Sequence, residues 1–163
     1  MVNTAWRSQE GDMYKKLVVP LDGSEFSECS LEHVTTLAQG CQIPSVVLLN
    51  VVEPANKYTT YSGVSQETFD EIRKQFLAQN KEYLDKVADR LNKEGINASP
   101  VIIEGKPAEE ILNYAEKEKT DLIVMSTHGS SGFSRWAFGS VADRVVRHST
   151  VPVLVIAPTG CRK

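Results

Sequence analysis

The run SVVLLNVV, from Ser45 to Val52, restricts the possible folds more than any other stretch of this chain. It is almost continuously apolar and β-branched, without the alternation of a strand that keeps one face in water. A strand of that composition is covered on both sides, and such strands belong to parallel sheets flanked by helices. Comparable runs end at Pro20 (YKKLVVP), span Val101 to Ile103 and Leu122 to Met125, and close the chain as VPVLVIA from Val151. Amphipathic segments lie between them. Leu31, Val34 and Leu37 share one face of a helix predicted from Ser27 to Gln39, stopped by Gly40. A long helix is predicted from Gln66 to Asn92, with Ser65 as N-cap. Its apolar stripe is Phe69, Ile72, Phe76, Tyr83, Val87 and Leu91, and Gly95 lies past its end. GKPAEEIL puts Pro107 at a first helical position, with Glu109 and Glu110 in the turn where the helix dipole favours carboxylates, and that helix continues to Lys117. Five strands alternating with four helices predict an α/β fold, an open parallel sheet with right-handed crossovers. The pattern leaves the strand order open.

At 163 residues the chain is the size of one domain, long enough to bury roughly 70% of its unfolded surface without covalent staples. A net charge of −3 and a pI near 5.7 argue against a nucleic-acid surface. The cysteines Cys29, Cys41 and Cys161 are odd in number and form no CxxC pair, which speaks against a disulfide framework and a zinc site and for a reducing compartment. No apolar run approaches the roughly 20 residues that span a bilayer, and MVNTAWRSQEGD has no signal-type hydrophobic region. A cytoplasmic protein without membrane contact is expected. Residues 1–12 are expected to be a loose tail, 13–158 the domain and 159–163 a second tail. The polar stretch ANKYTTYSGVS from Ala55 is longer than most connections, a length often associated with function.

The chemistry concentrates between Asp121 and His148. After the apolar run, the chain enters a loop of serines, a threonine and the glycines Gly129, Gly132 and Gly139, with Arg135 its one cation. Glycines adopt positive φ at little cost and let backbone N–H groups come close to a ligand. The helix beginning near Ser140 adds unpaired N–H groups and the positive end of its dipole, so an anion such as phosphate can be held without a lysine. Alternatives fail on their own residues: no GxxxxGK[ST] and no GxGxxG is present. After Asp22, Ser24 stands where an aspartyl-phosphate phosphatase needs a second aspartate. His128 has no evident carboxylate to orient it and is read as a rim residue; Arg135 and Trp136 are read as a solvated charge and a lid over the core. His33 and His148 are too far apart in sequence to suggest a metal pair.

These residues resemble the ATP-binding branch of the universal stress protein family. Its motif is glycine, two residues, glycine, nine residues, then glycine followed by serine or threonine. Gly129, the spacer SSGFSRWAF and Gly139-Ser140 match the last elements, and Ser126 stands in place of the first glycine. The resemblance covers about Met13 to Pro158. It implies a Rossmann-like sheet of the adenine nucleotide alpha hydrolase type, with strand order 3-2-1-4-5. In that order PLDGS after the first strand and STHGSSG after the fourth face one crevice at the topological switch point, where ligands of open α/β sheets bind.

The resemblance also implies residue roles. Pro20 and Asp22 belong to the first-strand signature; the Asp22 carboxylate would meet ribose hydroxyls or a water on a phosphate-bound metal, or else only make an Asx-turn. Val51 and Met125 would flank the adenine. Ser126, Gly129, Ser130, Gly139, Ser140 and Val141 would surround the phosphates and ribose, mainly through backbone N–H. The ligand would be ATP, with magnesium or manganese held mainly through the phosphates and water. The expected partner is a second copy, a homodimer through the last strand, Val151 to Ile156. The implied function is a nucleotide-dependent stress-response module. Slow ATP hydrolysis or autophosphorylation, with Asp22 and His128 the groups on hand, is one alternative; a dimeric interaction protein that binds no nucleotide is another.

Overall fold

The computed structural model describes residues 14–54, 66–127 and 139–157. The strands are β1 (Lys16–Pro20), β2 (Ser45–Val52), β3 (Ala98–Glu104), β4 (Leu122–Ser126) and β5 (Val153–Ile156). The helices are α1 (Glu25–Glu28), α2 (Ser30–Gly40), α3 (Gln66–Lys93), α4 (Pro107–Lys117) and α5 (Ser140–His148). The strands form one five-stranded sheet in the order β3-β2-β1-β4-β5, every pair parallel. Both the open parallel sheet and its 3-2-1-4-5 order agree with the expectation.

Successive side chains of a strand point to opposite faces, and both faces here are apolar. Leu17 and Val19 of β1, Val46 and Leu48 of β2, and Leu122 and Val124 of β4 join Leu31 and Val34 of α2 and Leu84, Val87 and Leu91 of α3 in one core layer. Val18, Val47, Leu49, Ile123 and Met125 join Ala108, Ile111 and Ala115 of α4 with Ala142 and Val145 of α5 in the other. The near-continuous apolar run of β2 follows from this double cover.

Two helices depart from the pattern read in the sequence. The helix expected from Ser27 begins earlier and is broken at Cys29 into α1 and α2. Serine hydroxyls bond back to the preceding turn there, Ser27 Oγ to the Ser24 carbonyl at 2.9 Å and Ser30 Oγ to the Ser27 carbonyl at 2.8 Å, a competition that interrupts helices. The stripe expected to bury α3 holds only in its C-terminal half: Val87 and Leu91 are buried, while Ile72 and Phe76 are 57% and 52% exposed. A helix of 28 residues is about 42 Å long, whereas the seven residues of β3 beside it span about 23 Å. The helix outruns the sheet. Its expected N-cap, Ser65, and the stretch from Ala55 lie outside the described residues. Cys41 is a free, exposed thiol, whereas Cys29 is disulfide-bonded, a bond that the odd cysteine count did not lead the sequence reading to expect.

Candidate functional site

The two central strands part at their carboxyl ends. The β1–β2 ladder has its last registered pair at Pro20 and Leu49, followed by one further bond from the Leu21 N–H to the Leu49 carbonyl at 2.9 Å. The chain then turns sharply. Asp22 Oδ1 accepts from the Ser24 N–H at 3.0 Å and from the Ser24 hydroxyl at 2.6 Å, with Gly23 at φ +83° between them. This is the Asx-turn that the sequence allowed for, and it spends Oδ1 on the loop itself. Ser24 then caps α1, its hydroxyl accepting the Ser27 N–H at 3.1 Å.

Across the gap, β4 pairs with β5 up to Ser126, and the Thr127 N–H continues to the Ile156 carbonyl at 2.9 Å. The Thr127 carbonyl accepts the Gly139 N–H at 2.7 Å, which docks the start of α5 against the end of β4. Gly139 is the N-cap and supplies no side chain to the first turn, so the amides of Ser140 and Val141 face the gap without a side-chain cap. At the third wall, the Gly105 N–H bonds the Val52 carbonyl at 2.9 Å and α4 starts at Pro107. A Cβ on Gly105 would lie 2.5 Å from Glu110 Cγ, so a side chain there would make the Glu110 side chain swing aside.

These elements enclose a cavity of about 250 Å³. Pro20, Asp22, Val51, Met125, Ser126, Gly139, Ser140 and Val141 all line it. Of the residues singled out in the sequence, Gly129 and Ser130, like His128, Arg135 and Trp136, lie outside the described residues. Sequence reasoning missed Leu21, Ser27, Leu49, Pro107, Ile111, Thr127 and Ala142, which also line the cavity. Leu49 sits two residues before Val51 on the same strand face, and Ala142 follows Val141, so strand period and helix start pointed toward both. Pro107 and Ile111 reach the cavity because α4 packs over β2, which no local signal in the sequence announces. The floor is apolar and the mouth polar.

One peptide at the cavity wall lacks its ladder partners. In the β1–β2 register the Val51 N–H would be the next donor, to the Leu21 carbonyl; that carbonyl instead accepts Asn50 Nδ2 at 2.6 Å. Among the described residues no partner takes the Val51 N–H or its carbonyl on the β1 side. A donor and an acceptor therefore stand side by side at the cavity wall, above an apolar floor. Burial and the Glu28 carboxylate hold the Tyr83 phenol above the ordinary tyrosine range, and Arg90 pairs with Glu28 at 3.1 Å. Among the described residues no cluster of three or more His, Cys, Asp or Glu side chains could hold a metal ion, and no helix is long and apolar enough to cross a membrane.

The model of the universal stress protein family matches residues 13–157. The chain belongs to the universal stress protein family. Universal stress protein MJ0531 of Methanocaldococcus jannaschii is 35% identical over 156 residues, covering 96% of this chain and 89% of that protein. The solved structure of MJ0577, a universal stress protein of the same organism, superposes with a TM-score of 0.76 at 30% identity over 93% of this chain and 98% of that one. A universal stress protein from Archaeoglobus fulgidus, solved in complex with dAMP, shares the fold at a TM-score of 0.62 and 20% identity, over 88% of this chain and 98% of that one.

Proposed function

We propose that the cleft between β1 and β4 binds an adenine nucleotide, ATP in the first place, and that the protein acts in the cytoplasm as a nucleotide-dependent stress-response module. The observation that carries this reading is the unpaired Val51 peptide over an apolar floor. The edge of adenine offers an amino donor beside a ring-nitrogen acceptor, the complement of a peptide carbonyl beside its N–H. Val51 and Met125 then flank the base. The cavity lies just below the usual ligand-pocket range of about 300–1,000 Å³, which suits a nucleoside whose phosphates extend out over the first turn of α5. There the amides of Ser140 and Val141 and the dipole favour an anion. A magnesium or manganese ion would be held by phosphate oxygens and water, with Asp22 the carboxylate among the residues that line the cavity.

Hydrogen bonds to charged groups contribute about 1.5–3 kcal/mol each, so three or four of them support micromolar binding after the cost of association, about −8 kcal/mol net. The membership of the family and a relative solved with dAMP support the same ligand class. Pairing of two copies through β5 belongs to this reading. The strand lies at one edge of the sheet, and Val153, Leu154 and Val155 are partly exposed.

The test is to denature the purified protein, separate what it releases, and titrate the stripped protein calorimetrically with ATP and magnesium. Released ATP, or heat fitting micromolar affinity, is the expected result. No released nucleotide and no heat with ATP, AMP or a cyclic nucleotide would overturn the reading and leave the β5 edge as the place to look for function.

A further inference from the structure

We infer that Asn50 is the residue that opens the base-reading peptide: by capping the Leu21 carbonyl it ends the β1–β2 ladder one bond early and keeps the Val51 N–H free for a ligand. The inference rests on the adenine-nucleotide reading for its purpose, though not for its geometry. Asn50 is 3% exposed, on the strand face that otherwise packs Val46 and Leu48 into the core. Its amide nitrogen donates to the Leu21 carbonyl at 2.6 Å. Its Oδ1 is buried and finds no hydrogen-bond partner among the described residues. A side chain placed there for stability would use both ends of its amide or neither, because a buried polar atom without a partner is costly. Asn50 uses only its donor. The bond it makes takes the place of a ladder bond the backbone could supply, since continuing the register past its last pair, Pro20 and Leu49, would bring the Val51 N–H to the same carbonyl. The side chain therefore contributes an open peptide rather than an added link.

Asn50 touches no ligand in this arrangement; it acts through Val51 and is a positioning residue. It also makes the site selective. With the Val51 N–H free, a base presenting an acceptor opposite it and an amino donor opposite the carbonyl is favoured. Hypoxanthine has the reverse pattern, a ring N–H and a carbonyl oxygen, and is disfavoured.

The experiment compares the full chain with Asn50→Leu, similar in volume but unable to donate. Amide hydrogen exchange at Val51 is followed by NMR without nucleotide, thermal unfolding is recorded alongside, and ATP and ITP are then titrated. In Asn50→Leu, the Val51 amide should exchange at least tenfold more slowly and the unfolding midpoint should hold or rise. ATP affinity should fall at least tenfold, and the preference for ATP over ITP should largely vanish. Asn50→Gln, which keeps a donor, should restore fast exchange and a measurable ATP preference; if Asn50→Leu does not fold, unchanged Val51 exchange between the wild type and Asn50→Ser overturns the inference. Equal Val51 exchange in wild type and Asn50→Leu overturns it, as does a loss of stability with the ATP preference intact. A wild type that binds no nucleotide refutes the proposed function, and the exchange rates still decide whether Asn50 holds the peptide open.

Discussion

At the amino ends of β1 and β4 the Asp121 carboxylate accepts the Lys15 and Lys16 amides at 2.7 and 2.8 Å, and the Asp121 N–H returns to the Lys16 carbonyl at 3.0 Å. At the carboxyl ends the same two strands separate, β1 into the Asp22 turn and β4 toward β5 and the start of α5. One end of the seam is closed by a single carboxylate; the other is left open by the Asp22 turn on one side and the start of α5 on the other. The contrast follows from the connections. After β1 the chain leaves for β2 on one side and before β5 it leaves on the other, so at the carboxyl ends nothing draws the strands together. Binding groups can gather there without weakening the core.

Closing or loosening either end separates stability from binding. Asp121→Ala removes two backbone bonds to a charged acceptor and should lower stability by about 2–3 kcal/mol, after discounting the bonds at about 1.5–3 kcal/mol each for partial exposure. Denaturant unfolding measures this, and nucleotide affinity of the folded fraction should stay the same. Val51→Trp fills the open end with a residue that suits a strand. It should reduce ATP affinity more than tenfold, about 1.4 kcal/mol, with the unfolding midpoint nearly unchanged; strong binding by this variant would place the base elsewhere. Ser24→Ala removes both the cap of α1 and the hydroxyl that donates to Asp22. A loss of about 1 kcal/mol is expected, with a smaller decrease in affinity through the loosened Asp22 turn.

The smallest effect concerns pH. Because the Tyr83 phenol has a raised pKa in the folded protein, the native state keeps that proton to higher pH than the unfolded chain, whose tyrosines titrate near about pH 10. Its contribution is complete below that value and is lost as pH rises from there toward the folded pKa. Tyr83→Phe should therefore show a shallower loss of stability between about pH 9 and about pH 11 than the wild type. Identical slopes would mean that Tyr83 is solvated in solution.

Local chemistry in the sequence was enough for the strands and most helices. The β-branched runs define β1 to β5, Pro107 starts α4, and the glycine-rich stretch before Ser140 announces a loop leading into a helix. Those signals depend on neighbours within a few residues, and side-chain periodicity transmits them without distortion. The break at Cys29 was not legible, because it depends on whether each serine hydroxyl turns toward the backbone or the solvent. The exposed half of α3 was not legible either, since an apolar stripe records what a helix can bury and not how long its neighbouring strand is.

The candidate site divides the same way. Pro20, Asp22, Val51, Met125, Ser126, Gly139, Ser140 and Val141 were singled out from motif and resemblance, and tertiary structure brings them to one cavity. Pro107 and Ile111 joined them only through the packing of α4 over β2. The sequence by itself determined that the sheet would be parallel and buried on both faces, because composition sets how much of a strand must leave water. Only the tertiary structure decided which backbone groups remain unpaired at its carboxyl end. A hydrogen bond such as that from Asn50 to Leu21 joins residues 29 positions apart, and its presence depends on where the strands lie, not on what either residue is.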